Sequence, residues 1–487
     1  MLGKSLLFAI AFLALLNLLG ISIVYLAYPG YIDTGEPNIV IHAWRLLEGY
    51  EVYPSFESPE RTTNLYGPYI FLLTSIFLFV FGSSIFAGKI AAFLAALSCP
   101  LIIFFSQKRR GLIASSIALI FFCEIFVINL PMTIWNRPDI FLGVILAVTI
   151  WSVNKVEDGS LNLAVLLGLL MLLGGVALDL KIIAGIYFIP IAVVIGFRYG
   201  WWTWPVVALG VVLVASLPFF FSTFDFNNYL EWFSYIADKP ESSENFYKVF
   251  RYALFYVLPP TIFAVVAGFR RLSITDRAYY FAFLFAITLI IYPAQKPGAG
   301  MYYLFPMVPI SIDLSIRFAN KCSNQQATYW LFGTIIACMA IISFPIEKRF
   351  INNLKWGESL DVKTEINTIL DDYKGFSIEM GLGDKTDSYK YTFLRPILVF
   401  SGNPYTLDSS VVMETSFVGI PLAQSTIDIL VSCRTSIWLI PAGEEPFGWT
   451  NYYGVETYDR NFRTEFKRSY FKKEERKYFD IWICKGL

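Results

Sequence analysis

The sequence predicts a polytopic helical membrane protein with a small α+β domain at its C-terminal end. The chain has 487 residues, of which 56% are hydrophobic and 16% charged. Apolar runs of about 16 to 22 residues recur, close to the ~20 residues that a helix needs to cross a bilayer. After Ile346 the chain becomes polar and rich in aromatic residues. We therefore predict a membrane domain over 1–345 and a soluble domain over 346–487.

The apolar segments are predicted as helices, and they fall at 5–28, 69–82, 85–105, 111–129, 138–153, 161–178, 182–197, 204–221, 252–269, 278–293, 301–316 and 328–345. The first segment is too long and too continuously apolar for a cleaved signal peptide, so it is a retained helix. Segment 69–82, with roughly 14 residues, is short for a span and is predicted to be a juxtamembrane helix.

The basic residues test this assignment, because short cytoplasmic loops collect Lys and Arg. Residues 108–110 are all basic, and Arg198 follows a later segment. These loops lie inside only if 69–82 does not cross, which leaves about eleven crossings. The N-terminus is then cytoplasmic, and the first loop, 29–84, and residues 346–487 are extracytoplasmic, at the cell (plasma) membrane. Net charge is zero and no basic block of the kind that binds nucleic acid is present, so no nucleic-acid partner is expected.

The first outer loop carries two carboxylates, Asp33 and Glu36, directly after the opening helix. Pro37 and Gly49 bound a short amphipathic helix, so both carboxylates lie at its N-terminus. Glu36 either caps this helix or has a function, whereas the position of Asp33 favours a function. His42, the single histidine, is expected at the surface or in a hydrogen bond and is left out of the site.

Later outer loops add charged and aromatic residues. Arg137 and Asp139 form either an interfacial ion pair or a site for phosphate and sugar hydroxyls. Lys181 belongs either to a solvated turn or to a lipid-phosphate site. A third loop, rich in Pro and Gly, contains Lys296, and the tyrosines that follow, Tyr302 and Tyr303, suit an aromatic belt or a sugar.

The C-terminal residues are predicted to form a helix over 358–373 and several strands. The predicted strands are PILVF (396–400), IDILV (427–431), IWLIP (437–441) and FDIWIC (479–484). Cys433 and Cys484 are the one cysteine pair here, and an outside location permits either a disulfide or free thiols.

Taken in order, these motifs resemble a known family. They are the D-x-x-E loop, LLEGYEVYP, LYGPYIFLL, FGSSIFAGKIAAF, QKRRG, NRPDIFLGVIL, LDLK and KPGAGMYYLFPMVP. This order is similar to the GT-C superfamily of integral membrane glycosyltransferases, in the branch with the aminoarabinose transferase of lipid A and the protein O-mannosyltransferases. The resemblance covers about residues 1–345.

The resemblance implies transfer of a hexosyl or pentosyl group from a polyprenyl-phosphate donor to a lipid, glycan or protein acceptor on the outer face. Asp33 would be the catalytic aspartate, and Glu36 departs from the family's spacing. The resemblance makes Asp139 the acidic residue of the next outer loop and places Lys181 and Lys296 near the lipid phosphate. From the outer loops themselves we also predict substrate-binding roles for Tyr66, Arg137, Tyr302 and Tyr303. No particular cofactor is predicted. A divalent metal held by carboxylates stays an open alternative, although no ligand spacing in the sequence indicates one.

Two other function classes compete with this interpretation. A transporter or flippase of lipid-linked sugars would show repeated halves and polar residues near the bilayer midplane. Here the polar clusters lie at the outer edge, and Glu124 is the main charge predicted inside the membrane, which favours an enzyme. A membrane scaffold would not need the acidic first loop.

Overall fold

Helices make up most of the chain, as the apolar runs predict. The structure, a computed structural model, describes residues 2–63, 65–237, 239–451 and 453–487. The helices of the membrane part are α1 Leu2–Ala27, α2 Gly35–Leu47, α3 Pro68–Phe81, α4 Ile85–Gln107, α5 Leu112–Ile128, α6 Pro138–Glu157, α7 Leu163–Leu180, α8 Gly185–Tyr199, α9 Thr203–Ser216, α10 Phe226–Ala237, α11 Ser243–Ala267, α12 Ile274–Ala294, α13 Val308–Ala319 and α14 Gln325–Asn353.

The protein is a multi-pass membrane protein. Within the described ranges, nine helices are long and apolar enough to cross a bilayer. Three predicted segments are shorter: α3 has 14 residues, α5 has 17, and 301–316 divides into a 3-10 turn over Met301–Met307 and α13. Pro306 has no N–H to donate, which fits the change of helix type there.

The C-terminal residues form the small α+β domain that the sequence predicts. Its elements are α15 Trp356–Asp372, β1 Ile378–Met380, α16 Pro396–Phe400, α17 Ser409–Phe417, α18 Gln424–Val431, β2 Ile437–Pro441, α19 Arg460–Ser469, β3 Tyr470–Glu475 and β4 Phe479–Cys484. The sheet order is β1-β2-β4-β3. β1 is parallel to β2, and the other neighbours are antiparallel.

Two of the four predicted strands are confirmed and two are wrong. IWLIP is β2 and FDIWIC is β4, whereas PILVF is α16 and IDILV lies in α18. A short, mostly apolar run of five residues fits a buried strand or a buried turn of helix equally well, and Pro396 suits the first turn of a helix.

Two compact units divide the chain. The first comprises Met1–Leu26, Ala91–Leu217 and Pro240–Asn353, and the second comprises Ala27–Ile90, Pro218–Lys239 and Leu354–Leu487. The predicted domain border at residue 346 lies inside α14, and that domain assignment stays a prediction.

Most of the first outer loop shares a core with the C-terminal domain inside the second unit. Apolar side chains from α2, α3 and the start of α4 join those of α15 and the sheet, among them Val40, Leu78, Ile366 and Leu439. Cys433 and Cys484 form a disulfide, one of the two alternatives that the sequence leaves open. The acidic loop is therefore held by a packed domain.

Candidate functional site

Asp33 lies in the acidic loop of the second unit, two residues before α2 begins. Its Oδ2 accepts a hydrogen bond from the Gly35 N–H at 2.9 Å. The next residue, Thr34, shares a 2.9 Å hydrogen bond between its Oγ1 and the Tyr389 hydroxyl. Asp33 is half-buried.

Glu36 is completely buried beside a lysine that the sequence analysis did not select. The carboxylate interacts electrostatically with Lys89, in the first turns of α4, and with the Tyr31 hydroxyl. Burial and the Glu36 carboxylate raise the pKa of Tyr31 well above its usual value. Lys89 Nζ donates to the Tyr28 carbonyl at 2.8 Å and lies 5.2 and 5.3 Å from the ring centroids of Tyr28 and Tyr31.

Lys89 was missed because it lies inside a segment that is otherwise apolar and was assigned to a membrane helix as a whole. The one available signal is that it is the single charge in FGSSIFAGKIAAF. A charged residue at membrane depth is costly without a partner or a use.

Tyr66 lies in the loop before α3, also in the second unit. Its carbonyl accepts a hydrogen bond from the hydroxyl of Tyr53 at 2.6 Å, and its side chain is half-buried. A part of the phenol surface thus stays accessible.

Five predicted residues come together in the first unit. The first pair consists of Lys181 and Asp139, whose Nζ and Oδ1 atoms are 2.8 Å apart, with side chains only 7% and 2% exposed. Asp139 enters from the first turn of α6, and Lys181 lies just beyond α7. Asp139 Oδ2 is buried and makes no hydrogen bond within the part of the chain that the structure describes.

Two tyrosine rings and an arginine complete this cluster. Lys181 Nζ lies 3.2 Å from the ring centroid of Tyr303 and 5.1 Å from that of Tyr302. The Arg137 guanidinium is 5.5 Å from the Tyr302 centroid. A buried ammonium flanked by a carboxylate and aromatic faces is pre-organised for an anionic or sugar-bearing ligand, since fixed dipoles and charges replace water there. We name Arg137, Asp139, Lys181, Tyr302 and Tyr303 the lysine–tyrosine cluster.

Lys296 lies in the Pro/Gly-rich loop after α12 and is half-buried. Its carbonyl accepts a hydrogen bond from Ala299 N at 3.0 Å. Its binding role stays a prediction.

His42 is buried in α2, so the hydrogen-bonded alternative holds and the surface alternative is wrong. Its Nε2 lies 2.5 Å from the Thr62 carbonyl oxygen. Burial, helped by the Arg45 charge, lowers the pKa of His42 to about 4. The imidazole is therefore neutral at physiological pH.

Metal-ligating side chains do not gather in the described ranges: no group of three or more His, Cys, Asp or Glu residues is placed to hold an ion. We therefore derive no step through a metal.

Comparisons with known proteins identify the fold. No family model and no curated protein sequence matches the chain. Solved structures do: ArnT from Cupriavidus metallidurans bound to undecaprenyl phosphate has a TM-score of 0.61 and 11% identity, over 96% of this chain and 97% of ArnT. The apo state of ArnT has a TM-score of 0.59, 12% identity and 97% coverage of both chains. The archaeal oligosaccharyltransferase AglB from Archaeoglobus fulgidus has a TM-score of 0.48 and 11% identity, over 88% of this chain and 69% of AglB. The two ArnT structures show that the chain has the ArnT fold.

Proposed function

We propose that this protein is a membrane glycosyltransferase that moves a sugar from a polyprenyl-phosphate donor to an acceptor hydroxyl or amine on the extracytoplasmic face. The observation that carries the proposal is the lysine–tyrosine cluster, where a buried ammonium lies against aromatic faces and a carboxylate. The fold adds support, because the ArnT structure of the same fold holds undecaprenyl phosphate.

The lysine–tyrosine cluster is assigned to the donor. During transfer the bond between the sugar and the phosphate oxygen breaks, and negative charge grows on the departing lipid phosphate. Lys181 and Arg137 stabilise that charge, as cations do at developing oxyanions in sites that exclude water. Asp139 holds Lys181 in place and leaves its second oxygen for a sugar hydroxyl, while Tyr302 and Tyr303 offer ring faces.

The acidic loop is assigned to the acceptor. As the new bond from the acceptor atom to the anomeric carbon forms, Asp33 accepts the acceptor's proton as a general base. Glu36, for which the sequence left capping and function open, is completely buried next to Lys89, so we assign it a role in positioning this lysine. The lysine–tyrosine cluster and the acidic loop are assigned to one reaction on the basis of their chemistry alone.

The test is a transfer assay in proteoliposomes with a polyprenyl-phosphate-linked sugar. Asp33→Asn keeps the size and polarity of the side chain but cannot accept the proton, so we expect kcat to fall by about a hundredfold or more with KM little changed. Lys181→Gln keeps a hydrogen-bond donor for Asp139 but removes the charge, so we expect KM for the donor to rise.

Asp225→Asn is the matched control for Asp33, because it is the same substitution at an exposed residue of the same unit. Full transfer by Asp33→Asn would remove Asp33 from the mechanism. If the wild-type protein instead carries the lipid-linked sugar across the bilayer unchanged, the protein is a flippase and the proposal is wrong.

A further inference from the structure

The far end of the first unit carries a second group of charged residues, distant from the lysine–tyrosine cluster. Asp139 lies in the first turn of α6, whereas Asn154 and Glu157 lie in its last turn. At 1.5 Å per residue, about 24 Å of helix separates the two ends. The Lys108–Arg110 turn lies at this far end, since Arg109 Nη1 donates to the Asn154 carbonyl at 3.1 Å.

More cations than carboxylates meet here. The two acids are well enclosed, with side chains 7% exposed for Glu157 and 1% for Asp313. The ion pairs join Arg109, Arg198 and Arg317 to Glu157, and Arg110 and Arg317 to Asp313. These four guanidinium groups therefore share two carboxylates, which leaves two positive charges uncompensated among these pairs. At the edge of a membrane, where the effective dielectric constant is lower than in bulk water, such an excess attracts an anion.

A cleft of about 730 Å³ opens beside one of these arginines, Arg109, and its lining combines apolar with charged side chains. The other three arginines line a separate cleft. The apolar part of the lining is formed by Ile102, Phe105, Val148 and Trp151. The charged part is formed by three cations and one carboxylate, Lys108, Arg109, Lys155 and Asp158, so the cations are in excess. Lys155 Nζ lies 3.9 Å from Asp158 Oδ2. Lys108 is exposed and makes no ion pair within the described ranges.

We infer that this cleft binds an anionic phospholipid, with the headgroup phosphate against Lys108 and Arg109 and the first acyl carbons against Phe105 and Trp151. The apolar part of the lining distinguishes a lipid from a free phosphate, which gains nothing from an indole or a phenyl ring. The excess charge distinguishes an anionic lipid from a zwitterionic one. The basic loops predict that this end is cytoplasmic, where anionic lipids give the leaflet a negative surface potential.

The experiment uses the full chain, purified in a neutral detergent and titrated with phosphatidylglycerol or with phosphatidylcholine. Bound lipid is measured by native mass spectrometry, and stabilisation by thermal unfolding. We expect the wild type to retain phosphatidylglycerol in preference to phosphatidylcholine. The variant Lys108→Ala/Lys155→Ala should bind phosphatidylglycerol about thirtyfold more weakly, from the usual contribution of two surface cations.

The matched control, Lys374→Ala/Lys385→Ala, removes two positive charges from exposed positions of the second unit and should bind as the wild type does. Lys108→Glu is a second variant at an exposed position and should weaken binding in the same direction. Equal binding of the two lipids, or wild-type affinity in both Lys108 variants, would overturn the inference. Equal stabilisation by inorganic phosphate without lipid would assign the cleft to a free anion and also overturn it.

Discussion

Single residues in this chain have unusual surroundings, and His42 is the residue whose environment makes a measurable prediction. Its neutral form is favoured because burial removes water from the ring and the Arg45 charge lies nearby. These effects outweigh the hydrogen bond to the Thr62 backbone and the field of Asp408, which both favour the charged form. The pKa of about 4 in the folded protein lies below the usual 6.5. The unfolded chain therefore binds the proton first as the pH falls.

We predict that the His42 contribution to stability is complete above pH ~6.5 and is lost between pH ~6.5 and ~4, by about 3 kcal/mol in total. His42→Gln keeps a hydrogen-bond donor for the Thr62 carbonyl but does not titrate. The unfolding temperature of this variant should fall less than that of the wild type when detergent-solubilised protein is moved from neutral pH to pH ~4.5. Parallel pH profiles for the two proteins would contradict the prediction.

Among the helices, α2 is the element that the C-terminal domain holds most directly. On its polar face, Asn38 Nδ2 donates a hydrogen bond to the Tyr405 hydroxyl at 3.1 Å, and Arg45 Nη1 donates one to the Tyr405 carbonyl at 3.2 Å. The Tyr405 hydroxyl donates in turn to Asp408 Oδ2 at 2.6 Å, and Arg395 pairs with the same carboxylate at 3.2 Å. Because these partners are buried, removal of one of them leaves others unsatisfied.

The contact of α2 with α4 permits a sharper test, because it depends on a glycine. A Cβ at Gly88 would lie 2.7 Å from the Val40 methyl groups and 2.8 Å from the Tyr31 hydroxyl oxygen. We predict that Gly88→Ala destabilises the protein by about 1 to 3 kcal/mol, the usual cost of overpacking. It should also lower transfer activity, since Lys89 is the next residue.

The control for this variant is Gly20→Ala in α1, where an added Cβ meets no atom within 4 Å. Alanine favours a helix over glycine by about 1 kcal/mol, so this control should be at least as stable as the wild type. The measurement is the unfolding temperature of the two variants, compared under the same conditions. A Gly88→Ala protein as stable as Gly20→Ala would show that the two helices separate without cost.

For the whole molecule, the testable quantity is membrane topology. We predict that the N-terminus and the Lys108–Arg110 turn face the cytoplasm and that the C-terminal domain faces the outside, because the basic loops then obey the positive-inside rule. Reporter fusions after Lys108 and after Leu487 should report opposite sides. Two cytoplasmic reporters would refute the predicted outer location of the C-terminal domain.

Much of this fold could be predicted because membrane helices carry their signal locally. The apolar segments indicate the spans, and residues such as Asp139 and Lys181 were selected because they lie at the predicted outer ends of these spans. Lys89 was not selected from the sequence, because its burial beside Glu36 depends on the packing of α2 against α4. The pairing of β1 with β2 could not be predicted from the sequence either, because a parallel pair depends on contacts between distant parts of the chain.

The second unit is built from three separate stretches, and this has a consequence for synthesis in the cell. Residues 27–90 are made early, yet the core around Tyr31 and Val40 includes Val362, Ile366 and the strands of the C-terminal sheet. At usual rates of translation, tens of seconds pass before those partners leave the ribosome. During that interval the apolar face of α2 needs lipid or a chaperone to cover it. A chain stopped before Leu354 would keep that face uncovered and should be a target for membrane proteases.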